Sequence, residues 1–374
     1  MPQTAIVSRP CSAAAGHKAG APRKFYRPCD HEASPFFKIV RDRFDEFERV
    51  YPERFQQRYG YWRPVIRSSI DKFLKCGDVK EGFARVKCKD CGEEYFLAFS
   101  CRQRSCCPSC DQKRALMLGL RLQEEVLAEV PHLQWVFTIP KRLRVYFRYD
   151  RSLLGKLCRA VYDTVCDVYK MELDGDCGVP ATCAEHSRSM VGAVQTFGDL
   201  IHWHSHIHAI VPEGVFTDTG HFVHIPDIWR HWAAEIWQEK VFDLLLDEFK
   251  TDLDTAANMR GWKHSGFNVD RSVRIEAGDN AGMQRLVEYI SRCPLSLARM
   301  VTLTDNGRIV YRASKGKCFP FPKTGDPVAP ERCTPPIQTL MEGIPRNFEV
   351  FDPLDFLAEV TQHIPNKGEH QIRY

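Results

Sequence analysis

Between Phe37 and Tyr51 the apolar residues Phe37, Val40, Phe44, Phe47 and Tyr51 recur at alternating steps of three and four. That spacing predicts an amphipathic helix ending near Pro52. A second helix is expected after Pro64, using Val65, Ile66, Ile70, Phe73 and Leu74 to reach Cys76. A cysteine-rich stretch follows to Cys110, and Asp111 is placed to cap the helix QKRALMLGLRLQEEVLAEV, which stops before Pro131. The pattern then changes. Gln134 to Pro140 reads as a strand closed by proline, and 152–171 reads as a helix with Leu153, Leu157, Val161, Val165 and Val168 along one side. Strands are expected at 190–197 and 205–211, then a hairpin turning at Asp218-Thr219-Gly220. Downstream the spacing predicts a helix over 228–250, a strand over 272–276 and a helix over 280–293 stopped by Pro294. A hairpin turning at Asp305-Asn306-Gly307, a proline-rich surface excursion at 319–336 and a short helix at 353–363 complete the chain. Strands and helices mixed with hairpins imply an α+β fold: a largely antiparallel sheet flanked by helices. There is no internal repeat.

Composition adds bounds. The 374 residues are 44% hydrophobic and 27% charged, which is ordinary for a globular chain with a substantial core. No apolar run reaches the ~18 residues needed to span a bilayer. The N-terminal stretch lacks the apolar core of a signal peptide and reads as a disordered basic arm, so a cytoplasmic location is expected. A formal net charge of +4 does not identify a nucleic-acid binder. Local charge says more: residues 141–151 carry Lys141, Arg142, Arg144, Arg148 and Arg151 against Asp150, with Tyr146, Phe147 and Tyr149 interleaved. Cations beside aromatics suit a phosphate backbone with unstacked bases. A solvated loop and helix start would look the same.

Seven of the 16 cysteines fall between residues 76 and 110, a clustering that points to metal ligation rather than disulfides. Cys88, Cys91, Cys107 and Cys110 form a C-x2-C-x15-C-x2-C arrangement, the ligand set expected for a closed structural zinc site. Gly92 gives the first knuckle its turn. Cys76, Cys101 and Cys106 are left over, as spare buried thiols or alternative ligands. Eight Lys/Arg in residues 76–114 face six Asp/Glu, and four thiolates leave a zinc site negative. Any grip on DNA there must come from particular residues such as Arg102, Arg104, Lys113 and Arg114.

Two further patterns carry chemistry. His202, His204, His206 and His208 occupy every second position before Ala209-Ile210-Val211. In a strand such residues share one face, and imidazole is a common ligand for divalent metals. The alternative is a histidine-rich loop leading into a strand. In the helix over 280–293, Arg285, Tyr289 and Arg292 lie at i, i+4 and i+7 and share a face, so a phosphate would be drawn to the tyrosine hydroxyl. A tyrosine at the edge of the core is the plainer reading.

With the cysteine module, the histidine pair and the tyrosine helix together, the chain resembles the insertion-sequence 91 family of transposases, which are HUH (histidine, hydrophobic, histidine) single-strand endonucleases. The resemblance covers roughly residues 65–374. It rests on CGDVKEGFARVKCKDCGEEYFLAFSC with CCPSC, WVFTIPKRLR, QTFGDLIHWHSHIHAIVPEGVF, EYISRCPLS and FEVFDPLDFLAEVTQHIP. It implies metal-dependent nicking and rejoining of single-stranded DNA in rolling-circle transposition. His206 and His208 would hold Mg2+ or Mn2+. Gln195, in the preceding strand of the matched motif, is the choice for third ligand, with His202, His204 and Asp199 as rivals. Tyr289 would form a 5′-phosphotyrosine while Arg285 and Arg292 steady the phosphate. Lys141, Arg142, Arg144, Arg148, Arg102 and Arg104 would position DNA, including a hairpin at the element's end.

Two departures qualify the resemblance. The position four after Tyr289 is Cys293, which is similar to the single-tyrosine branch. Family members typically run on beyond His370-Gln-Ile-Arg-Tyr374, which implies a shortened C-terminus. The implied organisation is a basic arm (1–33), a helical segment (34–75), a zinc-binding module with its helix (76–130), an HUH endonuclease domain (131–313) and a proline-rich and helical C-terminal segment (314–374). A non-catalytic zinc-dependent DNA-binding protein and a rolling-circle replication initiator are the competing readings. Oligomeric state is not legible.

Overall fold

The computed structural model describes residues 32–174, 189–217, 219–225, 230–303, 307–313 and 348–374. Most of the basic arm, the 319–336 excursion and the turn residues Asp218, Asp305 and Asn306 lie outside the described residues.

The chain first builds a helical layer. Helix α1 (Pro35–Arg54) starts at Ser34, whose hydroxyl accepts from the Phe37 amide, with Pro35 in its first turn. It continues past Pro52, because proline removes one amide and the next turn closes through Phe55 N–H to Tyr51 C=O. Short helix α2 (Gln56–Tyr59) and helix α3 (Pro64–Leu74) follow, then a hairpin of β1 (Phe83–Lys87) and β2 (Glu94–Ala98). Helix α4 (Pro108–Arg121) begins with Cys107 at its cap position and runs into a π turn over Leu122–Val126. Asp111 is therefore inside the first turn rather than capping it; its carboxylate instead accepts from the Ser105 amide.

The central sheet comes next. Its strands are β3 (His132–Thr138), β4 (Val191–Phe197), β5 (Trp203–Pro212), β8 (Asn268–Ile275) and β12 (Ile372–Arg373). Between them lie α5 (Arg144–Tyr149), α6 (Leu153–Asp174), the small hairpin β6 (Gly214–Phe216) and β7 (Phe222–His224), α7 (Arg230–Asp247) and α8 (Leu253–Arg260). After β8 come α9 (Asn280–Ile290), β9 (Met300–Leu303), β10 (Ile309–Arg312), β11 (Phe348–Phe351) and α10 (Pro353–Thr361). The order β12-β4-β5-β3-β8 is antiparallel at every pairing, so the α+β fold and antiparallel sheet expected from the sequence are what the chain adopts.

Alternation sorts the two faces of that sheet. Trp135, Phe137, Ile207, Ala209 and Val211 point to one side, where they pack with Leu157 and Val161 of α6 and Trp237 and Val241 of α7. On the other side Val191, Ala193 and Ile210 meet Leu286, Val287 and Ile290 of α9. Burying each of these large side chains contributes ~1.5–3 kcal/mol, enough to fix the register and so the direction of every histidine in β5. A third core joins α1, α3 and α10 to the sheet β11-β10-β9.

Candidate active site and metal centre

The histidine row forms, but it is shorter than its spacing suggests. The ring centroids of His204 and His206 are 4.9 Å apart, as are those of His206 and His208. His202 leaves the row because it precedes β5, next to Ile201 with its positive φ of 68°. Its Nε2 donates to Glu349 at 2.6 Å, and its other nitrogen lies 3.5 Å from Glu359. Those carboxylates, Glu349 foremost, raise its pKa to about 9, so His202 is a structural cation and not a ligand candidate. Burial does the opposite to the three histidines of the row: it lowers His204 to about 3, His206 to about 4 and His208 to about 2. They are neutral near pH 7, the protonation state a metal requires.

Gln195 stands directly across from His206 in the β4–β5 ladder. Its amide nitrogen donates to the carbonyls of Tyr289 (3.2 Å) and Ile290 (2.8 Å), and these bonds fix which way its oxygen points. That oxygen, His204 Nε2 and His208 Nε2 are buried without a hydrogen-bond partner among the described residues. A buried unpaired polar atom costs ~1–3 kcal/mol, so three of them on or beside one sheet face fit a ligand that uses them. Of the expected ligands, His208 and Gln195 carry such atoms and His206 does not; two imidazoles and an amide oxygen are a set that suits a divalent cation. Asp199, the other rival, lies at the cleft rim with its carbonyl accepting from Arg299.

Over this face lies a cleft of about 770 Å³ lined by Gln134, His204, His206, Arg285, Tyr289 and Arg292, among others. Helix α9, capped by Asp279 through the Gly282 amide, brings Tyr289 edge-on to His208 with centroids 5.5 Å apart. Tyr289 is 45% exposed, open to a substrate from the cleft side. Arg292 lies 4.6 Å over its ring, and the Arg292 Nε is buried with no partner among the described residues. Burial also lowers the Arg292 pKa, against the opposing pull of Tyr289 and Asp199. The three residues expected to share a helix face thus line one cleft.

The thiols are a correction. Among the described residues one group of three or more Cys, His, Asp or Glu side chains is close enough to share a metal: Cys76, Cys101, Cys107 and Cys110, their sulfurs all within 4.8 Å of one another. Cys76 to Cys110 is 3.7 Å, Cys101 to Cys110 is 3.5 Å and Cys76 to Cys107 is 3.9 Å. A tetrahedral zinc with ~2.3 Å bonds needs sulfurs about 3.8 Å apart, so the cage has the right size. Cys88 and Cys91, expected as ligands, are not in it. They sit on the turn of the β1–β2 hairpin, five residues and about 17 Å of strand from its base. That base brings the leftover thiols together: Gly77 N–H bonds Phe99 C=O, and the Cys101 amide reaches Cys76 Sγ at 3.3 Å.

Two family models match different parts of the chain. Residues 46–139 match the family described as "Transposase zinc-binding domain". Residues 189–374 match the family described as "Putative transposase". A transposase for insertion sequence element IS801 from Pseudomonas savastanoi pv. phaseolicola is 23% identical over 84% of this chain and 70% of its own length. The chain belongs to the insertion-sequence 91 transposases. A second relative, described as "Putative transposase y4qJ", from Sinorhizobium fredii (strain NBRC 101917 / NGR234), is 28% identical over 46% of this chain and 41% of its own length. No solved structure matches. Among the described residues no helix is long and apolar enough to cross a membrane.

The basic residues of this transposase divide. Lys141, Arg142 and Arg102 are exposed. Arg104 donates to the Glu369 carbonyl, Arg144 to the Ile139 carbonyl, and Arg148 stacks on Tyr59 and Tyr149. Arg151 is buried against Glu369 and over Trp203, so it holds the fold together. One site residue escaped the sequence reading altogether. Gln134, 4% exposed in β3, donates its side-chain N–H to His208 Nδ1 at 2.8 Å. The only signal was a polar residue at a core-facing position of an otherwise apolar strand.

Proposed function

We propose that this transposase nicks and rejoins single-stranded DNA through a 5′-phosphotyrosine on Tyr289, as a single-tyrosine HUH enzyme of rolling-circle transposition. The observation that carries this is the packing of Tyr289 against His208 at 5.5 Å, in one cleft with Arg285 and Arg292. His206, His208 and Gln195 would hold the cation, Mg2+ or Mn2+. When bound there, it would polarise the scissile phosphate and stabilise charge on the departing oxygen.

The rest falls to side chains. Tyr289 gives up its phenol proton and its oxygen attacks phosphorus; the 3′ oxygen leaves and takes a proton. Arg292, whose Nε is buried without a partner among the described residues, and the exposed Arg285 orient the phosphate by charge-assisted hydrogen bonds. The bond formed is again a phosphodiester, so a later 3′ hydroxyl reverses the step without a nucleotide cofactor. Lys141, Arg142 and Arg102 offer charge for the flanking strand, and a hairpin at the element's end is the expected substrate.

The test is a denaturing gel of labelled single-stranded oligonucleotides spanning element ends, with Mg2+ or Mn2+. A metal-dependent covalent adduct is expected for wild type and absent in Tyr289→Phe and His208→Ala. DNA binding with no adduct in any of the three would instead support a non-catalytic zinc-dependent DNA-binding protein.

A further inference from the structure

The two ligand histidines present their Nδ1 atoms to different partners. His206 Nδ1 lies 2.8 Å from the carbonyl oxygen of His204. A carbonyl only accepts, so His206 carries its proton on Nδ1 and keeps a lone pair on Nε2. His208 Nδ1 lies 2.8 Å from the side-chain nitrogen of Gln134, which only donates; turning that amide over would put its oxygen, an acceptor, in the same place. The two polarities differ in consequence. If the amide N–H donates, His208 carries its proton on Nε2, which then is a buried donor with no partner among the described residues. If the amide oxygen accepts, the proton sits on Nδ1 and the Nε2 lone pair is free, as in His206.

We infer that Gln134 is a positioning residue: with the metal bound its amide turns over, so that its oxygen accepts from His208 Nδ1–H and holds Nε2 of His208 as a metal-binding lone pair. The inference rests on the proposed metal site. The geometry gives Gln134 no comparable role elsewhere. It lies two residues along β3 from Val136, the residue opposite His208, so it reaches the imidazole diagonally on the same face. On the other side of β3 the pairing with β8 shifts between Gln134 and Val136, an irregularity of the kind that re-aims a side chain. Gln134 also lines the cleft in which His206 and Tyr289 meet. Through the Nδ1 hydrogen bond it would fix both ring orientation and tautomer, as outer partners of metal-bound histidines do.

The experiment measures Mn2+ binding to the full chain by calorimetry, without DNA, for wild type, Gln134→Glu, Gln134→Met and His208→Ala. In parallel, 15N spectra of histidine-labelled wild type are recorded with a diamagnetic ion, Mg2+, and His208 is assigned by its loss in His208→Ala. We expect Gln134→Met to weaken binding ~10–100-fold. Gln134→Glu, whose carboxylate accepts the same proton, should stay at least as tight as wild type. The spectrum should show His208 protonated at Nδ1. Unchanged affinity in Gln134→Met, or a His208 proton on Nε2 in the metal-loaded protein, would overturn the inference while leaving the metal site intact. Wild type that binds no Mn2+ removes the metal site and the inference together. Should Gln134→Met fail to fold, the wild-type spectrum alone decides.

Discussion

Replacing single cysteines separates the zinc cage of the structure from the one suggested by spacing. Cys101→Ser removes a sulfur 3.5 Å from Cys110 at the base of the hairpin, whereas Cys88→Ser alters its tip. Structural zinc in small modules contributes ~10–16 kcal/mol, so a quarter share is about 3 kcal/mol for one of four thiolates. At 1.4 kcal/mol per decade that is on the order of 100-fold in zinc affinity. Competition with a chromophoric chelator on purified full-length protein measures it directly. Cys76→Ser and Cys101→Ser should each lose about two decades, while Cys88→Ser and Cys91→Ser stay within a few-fold of wild type. A loss in Cys88→Ser equal to that in Cys101→Ser would refute the cage.

Three further outcomes follow from other parts of the fold. Arg151 is 6% exposed at its side chain and paired to Glu369, so Arg151→Met should leave that half-buried carboxylate with no paired cation, only the Asn366 amide, and cost ~3–5 kcal/mol by urea unfolding. His202 has a folded-state pKa raised from 6.5 to about 9, so its stabilisation is full below 6.5 and disappears as pH rises through about 9; the Tm gap between wild type and His202→Gln should close over that window. At Gly214, φ is +157° and an added Cβ would lie 2.2 Å from the Val223 carbonyl oxygen, so Gly214→Ala should destabilise by about 1–3 kcal/mol, read by thermal melting.

What the sequence made legible was whatever depends on local periodicity. The spacing in α1, α3, α6 and α9 reports a buried face, and each of these helices lies within a few residues of its expected bounds. The same holds for β4 and β5, where alternation sets His206 and His208 on one side and Ile207 and Ala209 on the other. Elements stabilised by distant partners were missed. The β1–β2 hairpin, the third strand β11 laid on the expected β9–β10 hairpin, and the two-residue β12 all pair across the chain or carry exposed side chains that give no clean alternation. The zinc ligands went wrong for a related reason. A C-x2-C pair is a strong local pattern, but Cys76 and Cys101 are brought together only by closing a hairpin between them, which spacing alone does not report.

That closure also bears on Tyr289. Helix α4 starts at the cage and packs along α9, and the absence of a side chain at Gly119 lets Gln284 approach: a Cβ there would come 2.1 Å from the Gln284 amide oxygen. Asp111, next to Cys110, accepts from Ser105 and pairs with Arg114, and its carboxylate, with burial, raises the pKa of the buried Cys293 thiol just beyond α9. Gln123 donates to the Asn280 carbonyl at the opposite end of α9, while Gln195 holds the carbonyls of Tyr289 and Ile290 from the sheet. The tyrosine helix is therefore held between the zinc-binding layer on one side and the histidine strands on the other. A metal cage that only gripped DNA would need none of these bonds. Their number makes the cage part of the wall that sets where Tyr289 stands relative to His208.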